Sequence, residues 1–241
     1  MGDNEHSDCH PALKKSKKQV GFTNKRIAQI RSNLPSIADP RVNEILGILA
    51  GDGWIGLSGN PRRRKQVCFC GNLKSETRYR KYLQRLIKNA FNVRGYYQER
   101  KDYNTYYIII NSGGIFDFFS NNFNFPIGPK HFFNVGKFPK SWRLQKLLIR
   151  GIFDTDGSTF FDRDPRYKRP YPVLDITLKN SEVLEWLTKT LNNHDFTVIR
   201  GSKYLRLKGT KNFNKWFKEI SPKNHIHKDK YSKWLMEYNS R

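Results

Sequence analysis

The sequence predicts an α+β fold built from two fused copies of one domain. Three observations predict it. An apolar, glycine-bearing helix ending in Asp-Gly occurs twice, as EILGILAGDG (44–53) and LIRGIFDTDG (148–157), which sets Asp52 and Asp156 104 residues apart. A helix opening with Ser-Glu follows each, from Ser75 and from Ser181. Between the helices, short runs alternate apolar and polar residues with period two, the mark of sheets buried on one side and open on the other. A repeat of about 100 residues is too long for a solenoid unit and implies a duplicated domain.

Taken in order, residues 1–43 form a basic N-terminal extension. It is polar at first, passes through the cluster Lys14-Lys15-Ser16-Lys17-Lys18, and holds one short helix, TNKRIAQIRSNL, before Pro35 and Pro40. Such an arm is either solvated or laid along a phosphate backbone. The first repeat covers 44–140. After its glycine helix come strands in RRRKQVCFC (62–70), GYYQER (95–100) and NTYYIII (104–110), around a helix with Tyr79, Leu83, Leu86, Ile87 and Ala90 on one stripe. Its third helix is read in FDFFSNNF (116–123), answered by NKWFKEI (214–220) in the second repeat, 141–241. There VLDITL (173–178) sets Leu174, Ile176 and Leu178 opposite Asp175 and Thr177. KYLRLK (203–208) sets Leu205 and Leu207 opposite Tyr204, Arg206 and Lys208. Leu184, Leu187 and Leu191 line the intervening helix, and the order in each half is helix–strands–helix–strands–helix.

The charge narrows the partners. Forty-five basic against 21 acidic residues leave +24, with a pI near 10.0, so a polyanion is attracted strongly. Nucleic acid comes first and an anionic membrane surface second; no apolar run approaches the ~18 residues of a spanning helix. Three cysteines, Cys9, Cys68 and Cys70, give no disulfide framework and suit a reducing compartment. The opening MGDNEHSDCHPALKKSKK lacks an apolar core, and its acids argue against a transit peptide. The protein is expected to act where it is made, in a prokaryotic cytoplasm or an encoding organelle.

The helix ends carry the chemistry. Gly47 and Gly51 lie four apart on one face, matched by Gly151 and Thr155, and allow two backbones to approach closely. If these faces pack together, Asp52 and Asp156 project from neighbouring C-termini, each followed by a glycine suited to a left-handed exit, Gly53 and Gly157. Two carboxylates at two negative helix poles require a counter-cation, and oxygen ligands favour magnesium over zinc. Such a centre between basic sheets suits metal-assisted phosphodiester hydrolysis. A calcium loop starting at Asp154 fails, because Thr159 and Pro165 replace its sixth-position glycine and twelfth-position glutamate.

GILAGDG and GIFDTDG resemble the paired motifs of LAGLIDADG homing endonucleases of the single-chain, two-motif type, over roughly residues 44–235. The resemblance implies two pseudo-symmetric αββαββα repeats whose sheets form a DNA-binding saddle, with the motif helices at the central interface. It implies magnesium-dependent cleavage of both strands of a long asymmetric site, leaving short 3′ overhangs, with manganese or calcium able to replace magnesium for binding. Asp52 and Asp156 would bind metal, with the carbonyls of Gly51 and Thr155 as further ligands. Lys130 in the first half and Lys228 in the second, with Lys230 as fallback, would support a water network at the scissile phosphate. Asn72 would join it before the second helix, whereas its counterpart Leu178 would not.

DNA contacts are expected from Arg62, Arg63, Arg64, Lys65, Gln66, Gln98, Arg100 and Lys101 in the first half. In the second half they are expected from Arg163, Arg166, Lys168, Arg169, Asp175, Thr177, Arg200, Lys203, Tyr204, Arg206 and Lys208. His6, His10, His225 and His227 lack the spacing of a zinc site. Cys68 and Cys70 read as small packed hydrophobes. The function so predicted is a monomeric, site-specific double-strand DNA endonuclease with no membrane role and no obligate protein partner. The rival is an intron RNA maturase or a non-catalytic DNA-binding regulator on the same scaffold.

Overall fold

The computed structural model describes residues 34–59, 64–130, 133–163 and 170–239. The basic cluster at 14–18 and all of the helix read over 23–34 except Leu34 lie outside the described residues. The first half runs α1 (Pro40–Ala50), β1 (Gly53–Ser58), β2 (Arg64–Asn72), α2 (Thr77–Phe91), β3 (Tyr96–Arg100), β4 (Thr105–Asn111) and α3 (Gly113–Phe123). The second runs α4 (Trp142–Asp156), β5 (Gly157–Asp162), β6 (Tyr171–Thr177), α5 (Ser181–Asn192), β7 (Ile199–Arg200), β8 (Tyr204–Lys208) and α6 (Thr210–Glu219). Each half is therefore αββαββα, and a further helix, α7 (His225–Asn239), follows the second.

The helices start where side chains can satisfy their open N–H groups. Asp39 accepts from Arg41 N at 2.8 Å, with Pro40 in the first turn. Ser112 Oγ accepts from Ile115 N at 3.3 Å, and Asn180 Oδ1 from Val183 N at 3.0 Å. Neither serine of the two Ser-Glu pairs is the N-cap: Asn180 caps α5, of which Ser181 is the first residue, and Glu76 holds the N-cap position of α2 before Thr77.

Both sheets are antiparallel and share one order, β1-β2-β4-β3 and β5-β6-β8-β7. Ile55, Val67, Phe69, Tyr106, Ile108 and Ile110 of the first sheet pack toward the helices, as do Leu174, Ile176, Leu205 and Leu207 of the second. The opposite face of the second sheet carries Phe160, Asp175, Thr177, Tyr204, Arg206 and Lys208, as the alternation requires. The opposite face of the first is less basic than expected. At its middle Trp54, Cys68, Cys70, Tyr107 and Ile109 form a small separate cluster.

α1 and α4 pack against each other at the centre. A Cβ on Gly47 would lie 2.9 Å from the Leu148 carbonyl carbon and 3.1 Å from Gly151 Cα; one on Gly151 would lie 2.6 Å from Ile48 N. Real Cβ atoms do not come so near, so only glycine permits this crossing. Beside it a buried ion pair links the halves. Arg150 Nη1 lies 3.3 Å from Glu44 Oε2, Tyr82 donates to Glu44 Oε1 at 2.6 Å, and Arg150 Nε donates to Ile220 O at 2.7 Å.

Candidate active site

Close packing of α1 and α4 brings their two acidic ends to one seam. The carboxylate of Asp156 and the side chain of Thr155 lie directly over Gly51, the residue before Asp52, where an added Cβ would be 2.9 Å from Thr155 Cβ. The ends are not identical: α1 stops at Ala50 and Asp52 lies in the turn, while α4 continues through Asp156. Burial pushes the Asp156 carboxyl up to about 6, opposed by the nearby Lys130 ammonium and the Thr155 hydroxyl. Gly53 and Gly157 do not supply a left-handed exit, since neither has positive φ. They supply room: a Cβ on Gly53 would lie 2.6 Å from Leu49 Cα, and one on Gly157 2.7 Å from Phe153 Cε2, where each strand folds back over the last helical turn.

Lys130 resolves why an acid sits at a negative helix pole. After α3 the chain pairs along β1, with an Ile55–Ile127 bridge and Gly128 N donating to Ile55 O at 2.9 Å. That edge delivers Lys130, whose Nζ donates to Leu49 O at 3.1 Å, Ala50 O at 3.2 Å and Gly51 O. One ammonium thus offsets the pole of α1 and the neighbouring carboxylate together. Asn180 Nδ2, from the other half, holds the Lys130 carbonyl at 3.1 Å.

The second half departs from expectation. The group at the pole of α4 is Asn224, whose Nδ2 donates to Asp154 O at 2.9 Å and to Glu76 Oε1 at 2.9 Å. Lys228 is exposed on the first turn of α7, and Lys230 Nζ donates to Thr159 O at 2.8 Å. The reason is loop length. α6 ends at Glu219 and α7 starts at His225, so the chain crosses the pole at Lys223 and Asn224 before either lysine is reached. Asp154 accepts from Lys223 N at 2.9 Å and Asn224 N at 3.0 Å; burial pushes its carboxyl up to about 7 against those two donors.

Asn72 also leaves its expected role. Its Oδ1 accepts from Lys74 N at 3.1 Å, Ser75 N at 2.9 Å and Asn104 Nδ2 at 3.2 Å, fixing the turn into α2. Cys70 is tied to the site rather than merely packed: its Sγ donates to Asp52 O at 2.9 Å. Among the described residues no three His, Cys, Asp or Glu side chains converge on one point. A divalent ion here would take Asp52 and Asp156 as its acidic ligands. The Gly51 carbonyl already meets Lys130; the Thr155 hydroxyl turns back to Gly151 O at 3.1 Å and Ile152 O at 3.0 Å.

On the sheets, Arg64, Gln66, Gln98 and Arg100 lie on the first sheet's face away from the helices. Gln66 Nε2 donates to Asn111 Oδ1 at 2.7 Å, and Arg100 stands 5.6 Å from the Tyr103 ring. Lys65 is a correction. It points to the helix side, paired with Asp117 and 5.3 Å from the Phe116 ring. Lys101 is exposed beyond β3, and Arg163 and Lys203 are exposed at strand ends. Arg200 folds onto its own turn, donating to Gly201 O, rather than reaching the open face. Asp175, Thr177, Tyr204, Arg206 and Lys208 share one face of the second sheet. Arg62, Arg63, Arg166, Lys168 and Arg169 lie outside the described residues.

Asn180, Asn224, Asp154 and the Glu44–Arg150 pair were not marked as site residues by the sequence reading. The Asp-Thr-Asp run signalled Asp154, but as a calcium-loop position. Asparagines in short loops carry no periodic signal at all.

No protein-family model matches the sequence, and no curated protein matches it. Solved structures do. Mesophilic variants of the homing endonuclease I-DmoI share 20% identity at a TM-score of 0.55, over 75% of this chain and 94% of that one. The I-LtrWI LAGLIDADG homing endonuclease bound to target DNA shares 13% at 0.58, over 84% and 92%. I-SmaMI bound to an uncleaved DNA target in the presence of calcium ions shares 14% at 0.54, over 84% and 92%. The chain has the two-domain fold of LAGLIDADG homing endonucleases.

Proposed function

We propose that this protein is a site-specific DNA endonuclease that hydrolyses both strands of a long asymmetric target with divalent metal. The observation that carries the reading is the seam itself: Asp156 seated over the residue before Asp52, at the ends of two helices that only glycine lets meet. The fold neighbours support it, since they include I-DmoI in complex with DNA and Mn and I-SmaMI on DNA with calcium. Magnesium is the proposed working ion, manganese and calcium serve for binding, and the products carry short 3′ overhangs. A bound ion would polarise the scissile phosphate and lower the pKa of attacking water. Asp52 and Asp156 hold that charge in place. Lys130 offsets the helix pole and stands ready to balance the phosphate. The open sheet faces fix the duplex.

Cleavage of a randomised DNA library with magnesium, followed by sequencing of the cut ends, tests the reading directly. Asp52→Asn and Asp156→Asn should each bind DNA in calcium and fail to cut; full cutting by both would overturn it. One observation favours a second reading. Asn224 stands where a second lysine was expected, which weakens the case against a scaffold that has lost catalysis. An intron RNA maturase or DNA-binding regulator would bind its nucleic acid tightly and nick no DNA.

A further inference from the structure

On the face of the second sheet that points away from the helices, one arginine is held unlike the rest. Arg206 Nε donates to Asp175 Oδ1 at 2.7 Å, directly across the β6–β8 pairing, and Asp175 Oδ2 accepts from Thr177 Oγ1 at 3.0 Å. Its guanidinium carbon lies 4.8 Å from the Tyr204 ring and 5.8 Å from the Phe160 ring. The side chain is fixed on three sides and still 32% exposed. Its terminal nitrogens, Nη1 and Nη2, make no hydrogen bond among the described residues. Two parallel donors therefore remain at the outer end of a locked fork.

We infer that Arg206 reads a guanine through O6 and N7 in the major groove, with Asp175 as its positioning residue, so that one base pair of the target is fixed as G·C. The inference rests on the endonuclease reading and names part of its specificity. Guanine offers two acceptors at the spacing of a guanidinium end, and this is the commonest specific arginine contact. A fork already immobilised loses little further freedom on binding. Asp175 weighs against a phosphate partner, because its carboxylate would repel a fully charged phosphate far more than a base that is neutral overall. Neighbouring candidates are spent elsewhere. Lys208 lies 3.2 Å from Tyr171 Oη and 3.7 Å from Asp162, and Arg200 is bound to its own turn.

Sites bound in calcium would be selected from a randomised duplex library by the parent protein and by Arg206→Lys, Arg206→Gln and Asp175→Asn. Far-UV circular dichroism and unfolding midpoints would show that each variant folds. The parent should prefer guanine at one position by roughly ten- to a hundredfold. Both Arg206 variants should lose that preference there and nowhere else, and Asp175→Asn should weaken it at the same position. A uniform loss of affinity across all sequences would make Arg206 a phosphate contact and overturn the inference, as would an unchanged preference. If the parent itself selects no sequence, the endonuclease reading fails and takes the inference with it.

Discussion

The lysine at one helix pole and the asparagine at the other make the two acidic ends chemically unequal. Lys130 places one cation against the last two carbonyls of α1 and that of the following Gly51, within the field of Asp156. Asn224 brings no charge to α4. Lys130→Met should therefore slow cleavage by about 10²–10³-fold while leaving calcium-supported DNA binding near the parent value. Removing the ammonium also leaves only the Thr155 hydroxyl to oppose burial at Asp156, so the acid limb of the pH–rate profile should move to higher pH. Lys228→Met should cleave near the parent rate. Equal losses in the two variants would show a symmetric lysine pair after all.

At the scale of elements, the central helices and α7 answer to different physics. Gly151→Ala places a methyl 2.6 Å from Ile48 N, backbone that cannot yield cheaply, and should destabilise the protein by at least about 1–3 kcal/mol in urea unfolding. Unchanged stability would mean the helices are not held at that distance. α7 docks through His227, which is 4% exposed, shares a hydrogen bond with Thr159 across 3.1 Å from Nδ1 to Oγ1 and lies 4.4 Å from the Phe153 ring. Burial, with a smaller push from Lys230, drops its pKa from 6.5 to about 4. The folded state therefore keeps the ring neutral where the unfolded chain is protonated. The His227 contribution to stability is complete above pH 6.5 and is lost as pH drops toward 4, by at most about 3 kcal/mol, while the raised carboxyls of Asp154 and Asp156 act with the opposite sign over the same range. His227→Gln should flatten the loss over that window in unfolding measured from pH 7 to pH 4.5.

For the whole molecule, +24 of net charge repels itself in the compact state, and on the proposed reading bound DNA offsets it. DNA affinity should fall linearly on a log–log plot against salt, with a slope of about −0.9 for each phosphate neutralised. A flat response would rule out a phosphate-dominated interface. The two sheet faces would meet the duplex differently: the first offers Trp54, Tyr107 and Ile109 at its middle, the second an ordered network around Asp175 and Arg206. On the proposed reading, that difference between the faces goes with an asymmetric target.

The sequence by itself determined the duplication, the strand faces and the glycine helices ending in acids, because each is written in local periodicity or in a repeated motif. Leu174, Ile176, Leu205 and Leu207 had to face one way and Asp175 and Arg206 the other. The tertiary structure alone decided which side chains reach the seam. Loop length passed Lys228 over in favour of Asn224, a salt bridge drew Lys65 to the helix side, and a turn consumed Asn72. Those outcomes depend on the competition among partners in space, which sequence spacing does not encode.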